Sequence, residues 1–577
     1  MVVQVTLVFN LFVLYLLFRH QDPIRAVPIA LVVCVLEISL WFSYRIIIYP
    51  QYVSPFRHLP EPPGSRFITG QTRSIPINPD VHIVRRWIND IPNDGFIRYR
   101  TIWAPDSVMI TSPDLLQELL NANSNNFHKR PLLAKVASVV LGNGLVFAEG
   151  AEHKVYNVKH SAGTRLLLRL AQKQRKHLMP PFTFSQVKNL YPVFWRHAVS
   201  TTSAIKADME ITARENKSKD GVYTCNIGDW ANRVTLDIIG DAGMGQSFNA
   251  IENPNNDLYA AYCTFFHSSR VPLVFSLIRI AVHNIVISRA PYLAQFFLPD
   301  PNNPVIKALR FIRGTCKEVI REGRSCIEAR KLLSLGGIST FEIPKSRLPN
   351  KENVIRTAIS SNVFTEEELV NQVMTFLLAG HETSAGTLTM AIYYLCKFPD
   401  VQKQLREEIR SYLPRTFDQD AITAEKFRSM PYLQAVREEV LRLAPALPVA
   451  GRRAMADTYV GSQLIPKGST VLIAIAAINC SKAIWGEDAL DFNPERWMQP
   501  GRVPTSPYAN MTFLHGPRSC IGKEFANGTF LSLIVAMVSR FEFELEDPGF
   551  ELKFVPMSIS LKVEGGIRVR MRELEGY

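Results

Sequence analysis

Residues 513–522 read FLHGPRSCIG, a turn-rich segment followed shortly by the apolar stretch FANGTFLSLIVAMVSRF at residues 525–541. The apolar stretch predicts a buried helix, so Cys520 lies where that helix begins. The first turn of a helix presents free backbone N–H groups and the positive end of its dipole, and both favour a thiolate. Two glycines shape the loop, and Phe513 can shield the sulfur from solvent. The segment therefore predicts one protected thiolate.

A thiolate of this kind suits an axial ligand to haem iron, because it donates electron density to the metal while the loop limits its oxidation. For Cys520 alone, a buried structural cysteine near a helix end is the alternative. The joint pattern of Phe513, Gly516, Arg518, Cys520 and Gly522 favours the haem ligand. These residues match every fixed position of the signature FxxGxRxCxG, and the segment resembles that of the cytochrome P-450 haem-thiolate monooxygenases.

Two motifs upstream of this loop occur in the order typical of that family. Residues 439–442 read EVLR, which places Glu439 and Arg442 on one helix face, and residues 492–497 read FNPERW. A Glu and an Arg at this spacing alone are usually a solvated surface pair. The resemblance instead implies that Glu439, Arg442 and Arg496 form a buried ion-pair cluster, which fixes the haem-binding core and is structural rather than catalytic.

A long helix is predicted before these motifs. Thr365 and Glu368 form a capping box, and apolar residues then recur at helical spacing until Lys397 and Pro399. About thirty residues at about 1.5 Å each cross an entire domain. In the middle, residues 379–384 read AGHETS, and a glycine beside small hydroxyl residues is expected to weaken the helix and leave room for a ligand.

The resemblance assigns roles inside this helix and around the cofactor. Glu382 and Thr383 are the acid and alcohol that relay protons to iron-bound dioxygen. The His-Glu pair lacks the second His that the zinc-protease motif HExxH requires. Arg518 and one of Arg452 or Arg453 are expected to pair with haem propionates. The sequence leaves the choice between these two neighbours open.

The chain departs from the family pattern at residues 155–172, which read VYNVKHSAGTRLLLRLAQ. The family usually has a helix with Trp-x-x-x-Arg that contacts the haem propionates. Removing the segment joins Lys154 to Lys173 and places His153 and Arg175 at the Trp and Arg positions. We hypothesise that the segment translates a retained intron, because Val codons begin with GT, a Gln codon can end in AG and the reading frame is kept. A genuine surface insertion is the alternative.

The amino-terminal residues 1–49 are predicted to be a membrane anchor. Residues 2–18 and 26–43 are almost wholly apolar, and each is close to the minimum length of a spanning helix. The chain begins without the basic start and cleavage site of a secretory signal. Glu37 would be unfavourable in the bilayer centre, so the sequence leaves open whether the anchor crosses once or twice.

The remaining chain is predicted to form a stiff, extended proline-rich hinge at residues 50–64 and one haem-thiolate catalytic domain at residues 65–577. Its apolar periodicity is mainly helical, with a strand-like run at residues 471–477 and a β-rich tail after Phe541. The polar stretch at residues 334–353 predicts a surface loop. The resemblance implies the cytochrome P-450 fold, mainly α with small β-sheets, behind a transmembrane anchor.

Composition excludes several other classes of protein. The 577 residues include 47 % hydrophobic residues and only 8 Cys without a CxxC pair, which excludes a disordered or disulfide-stapled chain. The 65 Lys and Arg exceed the 52 Asp and Glu by 13, a balance that suits an anionic membrane or an acidic partner. No nucleic-acid-binding motif is visible, so a nucleic-acid partner is not expected.

The resemblance implies a monooxygenase that uses haem b, dioxygen and electrons from an NADPH-dependent cytochrome P-450 reductase. Its expected reaction is insertion of one oxygen atom into a lipophilic small molecule by hydroxylation or epoxidation. The resemblance implies that the redox partner docks on the helix that carries Lys154, Lys173, Arg175 and Lys176. A basic patch there would steer an acidic flavoprotein, with an ordinary solvated face as the alternative.

The predicted anchor and single body resemble fungal family members that tailor polyketides or terpenoids. They also imply a location in the endoplasmic reticulum membrane, with the catalytic domain facing the cytosol. Two other functions stay open. One is a haem-thiolate isomerase or dehydratase without a reductase, which the Glu382–Thr383 pair disfavours. The other is an inactive haem protein whose fold residues 155–172 disrupt.

Overall fold

The computed structural model describes residues 32–33, 35–37, 39–67, 69–71, 81–101, 107–129, 142, 144–146, 174–216, 222–267, 303–334, 353–413, 422–555 and 560–575. Segment 155–172, His153 and the apolar residues 2–18 lie outside the described residues. The retained-intron hypothesis and the amino-terminal half of the anchor therefore stay predictions.

Helices form most of the described chain, because each has an apolar face that packs against its neighbours. The longer helices are α1 (Val81–Asp90), α2 (Tyr191–Asn216), α3 (Ile227–Ile238), α4 (Asp257–His267), α5 (Pro304–Ser334), α6 (Val354–Ser360), α7 (Glu366–Lys397), α8 (Pro399–Tyr412), α9 (Pro431–Leu443) and α10 (Lys523–Arg540). Shorter α-helical segments are Pro113–Gln117, Phe184–Val187, Ala424–Arg428, Ile475–Ile478 and Lys482–Trp485. The predicted class, mainly α with small sheets, is confirmed.

Helix α7 is the long central helix that the sequence predicts. The Thr365 hydroxyl accepts the backbone N–H of Glu368 at 3.2 Å, and the Glu368 carboxylate accepts the N–H of Thr365 at 2.8 Å. This capping box starts a helix of 32 residues, about 48 Å long at 1.5 Å per residue. The helix ends at Lys397, and Pro399 starts α8 because proline fits the first turn of a helix.

The strands are short and form three sheets. They are β1 (Phe96–Tyr99), β2 (Ser107–Ile110), β3 (Phe127–Lys129), β4 (Val222–Asn226), β5 (Ala450–Ala454), β6 (Thr458–Val460), β7 (Gln463–Ile465), β8 (Thr470–Ile473), β9 (Phe541–Leu545) and β10 (Arg568–Glu573). The largest sheet has the order β1-β2-β8-β5-β3, in which only the β2–β8 pair is parallel. The tail strands β9 and β10 join β4 in a second sheet, and β6 and β7 form the third.

Two local predictions are corrected. The strand-like run at residues 471–477 is strand only to Ile473, and Ile475–Ile478 is helical. All of these residues are buried, and a fully buried apolar run does not distinguish strand from helix. The hinge predicted from residue 50 begins later, because a π-helix runs from Tyr44 through Pro50 to Val53. Arg98 donates to the carbonyl of Pro50 and holds this turn against β1.

The predicted membrane anchor is unconfirmed. Within the described part of the chain, no helix combines the length and the apolar character that crossing a bilayer requires. The polar stretch at residues 334–353 lies outside the described residues except at its ends. Asn353 at its end caps α6 by accepting the N–H of Arg356, so a short helix separates this stretch from α7.

Two apolar cores hold the described elements together. The larger core packs α7 and α10 against α2, α3, α8 and α9, and every residue of α10 from Asn527 to Ser539 is buried. The smaller core lies between the five-stranded sheet and α1. The Cys520 loop precedes α10 and contacts the segment between β2 and β3, so it is held between the helical part and the sheet.

Candidate active site around Cys520

The loop from Phe513 to Gly522 is a tight turn that aims Cys520 at the start of α10. The backbone N–H of Cys520 donates to the Phe513 carbonyl at 2.8 Å. Leu514 and Gly516 have φ values of 52° and 77°, a left-handed conformation that non-glycine residues rarely adopt. Gly522 caps α10, and its backbone N–H donates to the Cys520 sulfur.

Two residues of the loop fix it to the segment before β3. A Cβ built on Gly516 would lie 2.4 Å from the carbonyl oxygen of Leu120, so only glycine fits there. The Arg518 guanidinium donates to the carbonyl of Ser124 at 3.0 Å and to that of Phe127. Gly516 and Arg518 therefore have a structural role in holding the loop, whatever else Arg518 binds.

Arg175 lies beside the same loop. It belongs to a helical turn at residues 174–178 and donates to the Ser519 carbonyl at 2.9 Å and to the Ser519 hydroxyl at 3.4 Å. Burial lowers the pKa of Arg175, and the neighbouring Cys520 sulfur opposes that shift. The structure thus brings Arg175 to Cys520, whereas His153 lies outside the described residues.

The Cys520 residue keeps a solvent-accessible surface, while protein atoms crowd the other sides of its thiol and partly desolvate it. Burial raises the pKa of the Cys520 thiol and outweighs the Gly522 N–H, Arg175 and Lys523, which all lower it. The expectation that the helix start favours a thiolate is therefore incomplete, because desolvation dominates in the free protein. Iron binding would supply the missing stabilisation, since a coordinating thiol is deprotonated by the metal.

The two arginines on β5 have different surroundings. Arg452 is buried at 4 % exposure and Arg453 is exposed, because successive side chains of a strand point to opposite faces. Arg452 lies between Lys129 of β3 and Val471 of β8 in the sheet. Only Arg452 is thus directed toward the interior of the protein.

The middle of α7 has one polar face, which carries Thr383, and one face that packs closely against another element, which carries Gly380. The Thr383 hydroxyl donates to the Ala379 carbonyl at 2.6 Å and the side chain is only partly buried, so the hydroxyl oxygen can still accept a bond. Gly380 does not leave room for a ligand, contrary to the expectation. A Cβ there would lie 2.8 Å from Ile239, so glycine serves the close contact between α7 and the turn after α3.

Glu382 and His381 are both desolvated. Burial raises the pKa of the Glu382 carboxyl, while Lys562 and a hydrogen bond from Ser560 lower it. Within the described residues, the Glu382 Oε1 atom is buried and has no hydrogen-bond partner. His381 is 2 % exposed and packs its ring 4.9 Å from that of Tyr262, and burial lowers its pKa to about 4.

The structure brings Glu439, Arg442 and Arg496 together in the core, each at 0 % exposure. Arg442 donates to both Glu439 carboxylate oxygens at 2.8 Å, and Arg496 lies 3.5 Å from one of them. The indole N–H of Trp497 and the backbone N–H of Asn493 also donate to Glu439, both at 2.9 Å. Four groups thus satisfy this buried carboxylate.

Sequence reasoning did not identify three residues of these sites. Trp497 stands in the FNPERW motif, close to the predicted buried carboxylate of Glu439. A buried indole N–H needs a hydrogen-bond acceptor, so the motif itself indicated this contact. Ser560 and Lys562 lie in the tail, far in sequence from Glu382, and no local pattern marks them. Such long-range neighbours require the fold.

The residues around Cys520 fit a haem-thiolate centre. A single exposed thiol bonded by a helix-start N–H is a suitable axial donor, and a Cβ built on the adjacent Gly522 would meet open space. The chain belongs to the cytochrome P-450 family, whose family model matches residues 102–567. That family implies a haem-thiolate iron, and the chain is an enzyme of the monooxygenase type.

Curated relatives support the same class over most of the chain. The chain is 36 % identical to cytochrome P-450 monooxygenase sphH of Aspergillus fumigatus, covering 92 % of this chain and 91 % of that protein. It is 35 % identical to cytochrome P-450 monooxygenase FSL4 of Gibberella zeae, covering 100 % and 99 %. Cytochrome P-450 monooxygenase ALT8 of Alternaria alternata is 33 % identical, with 93 % of each covered.

Proposed function

We propose that this enzyme inserts one oxygen atom of dioxygen into a lipophilic small molecule by hydroxylation or epoxidation, in the biosynthesis of a fungal polyketide or terpenoid. The Cys520 loop is the observation that carries the proposal. Its exposed thiol lies beside Arg175, and its left-handed turn is held by contacts that allow only glycine at residue 516. The fungal relatives support the same assignment.

Haem b supplies the iron and the redox chemistry of dioxygen activation when it is bound. Cys520 would hold the iron through its sulfur, and Phe513 and Gly522 would flank that sulfur. For the propionates we propose Arg452 rather than Arg453, because Arg452 lies on the buried face of β5, where its guanidinium can form charge-assisted bonds away from bulk water. Arg175, together with His153, would complete the propionate contacts.

Protons would reach the site through α7. Glu382 would act as the acid, because burial raises the pKa of its carboxyl above the ordinary value and so favours its protonated form. Thr383 donates its hydroxyl hydrogen to the Ala379 carbonyl, so a lone pair of its oxygen stays available to accept a hydrogen bond and to orient a neighbouring donor. The intact pair favours monooxygenation over a reaction that needs no proton delivery.

The carbon monoxide difference spectrum of the reduced protein tests the thiolate assignment. Microsomes that express the full sequence, a version without residues 155–172 and the variant Cys520→Ala are compared. A strongly red-shifted Soret band is expected without the segment and is expected to vanish in Cys520→Ala. No such band in either parent protein would refute the assignment.

Electrons would come from an NADPH-dependent cytochrome P-450 reductase in the endoplasmic reticulum membrane, and the basic residues around Lys176 and Arg175 would contact it. Fractionation and protease protection of expressing cells test the location. Reduction of the haem by the reductase at rising salt tests the contact, because exposed charge pairs are screened. A reduction rate that is independent of salt would contradict a charge-steered complex.

A further inference from the structure

The side chain of Asn479 lies between the buried ion-pair cluster and the segment that leads into the Cys520 loop. Asn479 follows the short helix Ile475–Ile478 and is 0 % exposed. A buried amide without hydrogen-bond partners is unfavourable, so its N–H and C=O groups need partners inside the protein. The partners of Asn479 therefore show which parts of the fold this side chain holds together.

Both hydrogens and the oxygen of the Asn479 amide are bonded. The NH₂ group donates to the Arg442 carbonyl at 3.1 Å and to the Thr512 hydroxyl at 2.8 Å. The Oδ1 atom accepts the backbone N–H of Met511 at 2.8 Å. Because a carbonyl can only accept and a backbone N–H can only donate, these partners fix the orientation of the amide. Asn479 thus joins α9 to the two residues before Phe513.

The last turn of α9 has carbonyl groups that need such donors. The final four carbonyls of a helix have no N–H partner from the helix itself. The Leu441 carbonyl instead accepts the Thr512 hydroxyl at 2.7 Å. The Arg442 carbonyl accepts the Asn479 amide, and the Arg442 guanidinium in turn donates to the backbone carbonyl of Asn479 at 2.8 Å. Arg442 and Asn479 therefore hold each other by two bonds.

The ion-pair cluster does not contact the Cys520 loop through its own side-chain bonds. Within the described residues, the side-chain bonds of Glu439, Arg442 and Arg496 all end at partners from residue 439 to residue 497. Asn479 is one of these partners and also bonds residues 511 and 512. It is thus a direct connection between the cluster and the loop.

Backbone bonds continue from Met511 to the residue that carries the thiol. Met511 is 0 % exposed, and its carbonyl accepts the N–H of Leu514 at 2.8 Å. The Phe513 carbonyl accepts the N–H of Cys520 at 2.8 Å. The position of residues 511 and 512 consequently sets the position of the carbonyl on which the Cys520 turn closes.

We propose that Asn479 is a positioning residue for Cys520, which couples the end of α9 to residues 511 and 512 and so fixes the turn that carries the thiol. The inference rests on the proposed role of Cys520 as the residue that holds the iron. Thr512 supplies a second coupling bond through its hydroxyl. A buried polar network in which every member is bonded favours one arrangement of the chain, and here that arrangement includes the Cys520 turn.

A second asparagine, Asn89 on α1, offers a matched control. Its amide donates to the Arg85 carbonyl at 3.0 Å and to the Cys480 carbonyl at 3.1 Å, and its oxygen accepts the N–H of Lys482 at 2.8 Å. Asn89 thus has as many side-chain bonds as Asn479 and holds the same segment from the side of α1. Within the described residues, none of its bonds reaches the Cys520 loop.

Hydrogen exchange of the purified full chain, followed by mass spectrometry, tests the coupling without reference to haem. Peptides that cover residues 513–520 are compared in the wild type, Asn479→Ala and Asn89→Ala. These peptides are expected to exchange at least about fivefold faster in Asn479→Ala, the factor that one net hydrogen bond contributes to closing the turn. Asn89→Ala is expected to keep the wild-type rate. A wild-type rate in Asn479→Ala, or an equal acceleration in Asn89→Ala, would overturn the inference.

Two variants of Thr512 test the second coupling bond. Thr512→Val keeps the shape of the side chain but cannot bond Asn479 or Leu441, so it is expected to accelerate exchange of the same peptides. Thr512→Ser keeps the hydroxyl and is expected to exchange at the wild-type rate. If Asn479→Ala does not fold, this pair decides the question, and a wild-type rate in Thr512→Val then overturns the inference.

The carbon monoxide difference spectrum separates this inference from the proposed function. The variants are made in both parent proteins, with and without residues 155–172. The ratio of the red-shifted to the unshifted Soret band is expected to fall at least about fivefold in Asn479→Ala and to stay unchanged in Asn89→Ala. Absence of the red-shifted band from both parents would overturn the proposed function, while the exchange rates would still report on Asn479. A red-shifted parent band with equal exchange rates in all variants would overturn only the role of Asn479.

Discussion

Replacement of Glu439 by glutamine tests whether the buried ion-pair cluster stabilises the fold. Glu439 accepts two bonds from Arg442 at 2.8 Å, one from Asn493 and one from Trp497, and no part of its side chain is exposed. A hydrogen bond to a charged group contributes about 1.5–3 kcal/mol. Glutamine keeps one acceptor oxygen, but an NH₂ group replaces the second oxygen and cannot accept hydrogen bonds. About half of these bonds are therefore lost.

The expected loss is therefore about 3–5 kcal/mol of the free energy of unfolding, the range for a buried pair that loses one partner. Urea unfolding followed by tryptophan fluorescence measures it. The matched control is Glu438→Gln, because Glu438 is the neighbouring carboxylate, is 32 % exposed and forms a partly buried pair with Arg437. A pair that solvent still reaches contributes about 0–1 kcal/mol. If both variants unfold at the same urea concentration, the cluster does not stabilise the core as argued.

Three further outcomes are expected. Gly516→Ala should abolish the carbon monoxide band, because its Cβ would meet a backbone carbonyl at 2.4 Å, while Gly501→Ala, with a similar φ of 78° and open space, should keep it. Gly380→Val should lower the free energy of unfolding by about 1–3 kcal/mol through contact with Ile239, and adding Ile239→Ala should recover part of that loss in urea titrations. The pKa of His381 is lowered to about 4 from 6.5, so only the unfolded chain binds the proton between these values. The native protein should lose about 3 kcal/mol of stability as the pH falls through that window, and His381→Asn should lack this loss in urea titrations at each pH.

Features set by short-range spacing were accessible from the sequence. The capping box of Thr365 and Glu368 starts α7 as predicted, because both partners lie within one turn. The i,i+3 spacing of Glu439 and Arg442 is sufficient to put both on one face of α9, where they bond at 2.8 Å. When the residues of a motif are close in sequence, the local helix geometry is sufficient to fix their relative positions.

Features that depend on distant packing were not accessible. The sequence could not choose between Arg452 and Arg453, because burial on β5 is decided by strands β3 and β8. It predicted room for a ligand beside Gly380, although the neighbour that requires glycine is Ile239, in a turn more than a hundred residues earlier. It did not foresee that burial raises the pKa of Cys520 despite the helix start, since desolvation depends on the surrounding fold.

The anchoring of the Cys520 loop has a consequence for how the chain acquires its site. Arg518 bonds to carbonyls 394 and 391 residues earlier in the sequence, and Ser519 is bonded by Arg175 across 344 residues. Contacts of such long range form slowly, because the closure entropy must be overcome before they stabilise the chain. During synthesis, the amino-terminal partners emerge long before the loop that they hold. The Cys520 turn can therefore be completed only after nearly all of the polypeptide has left the ribosome, and haem capture is expected to be a late event of folding.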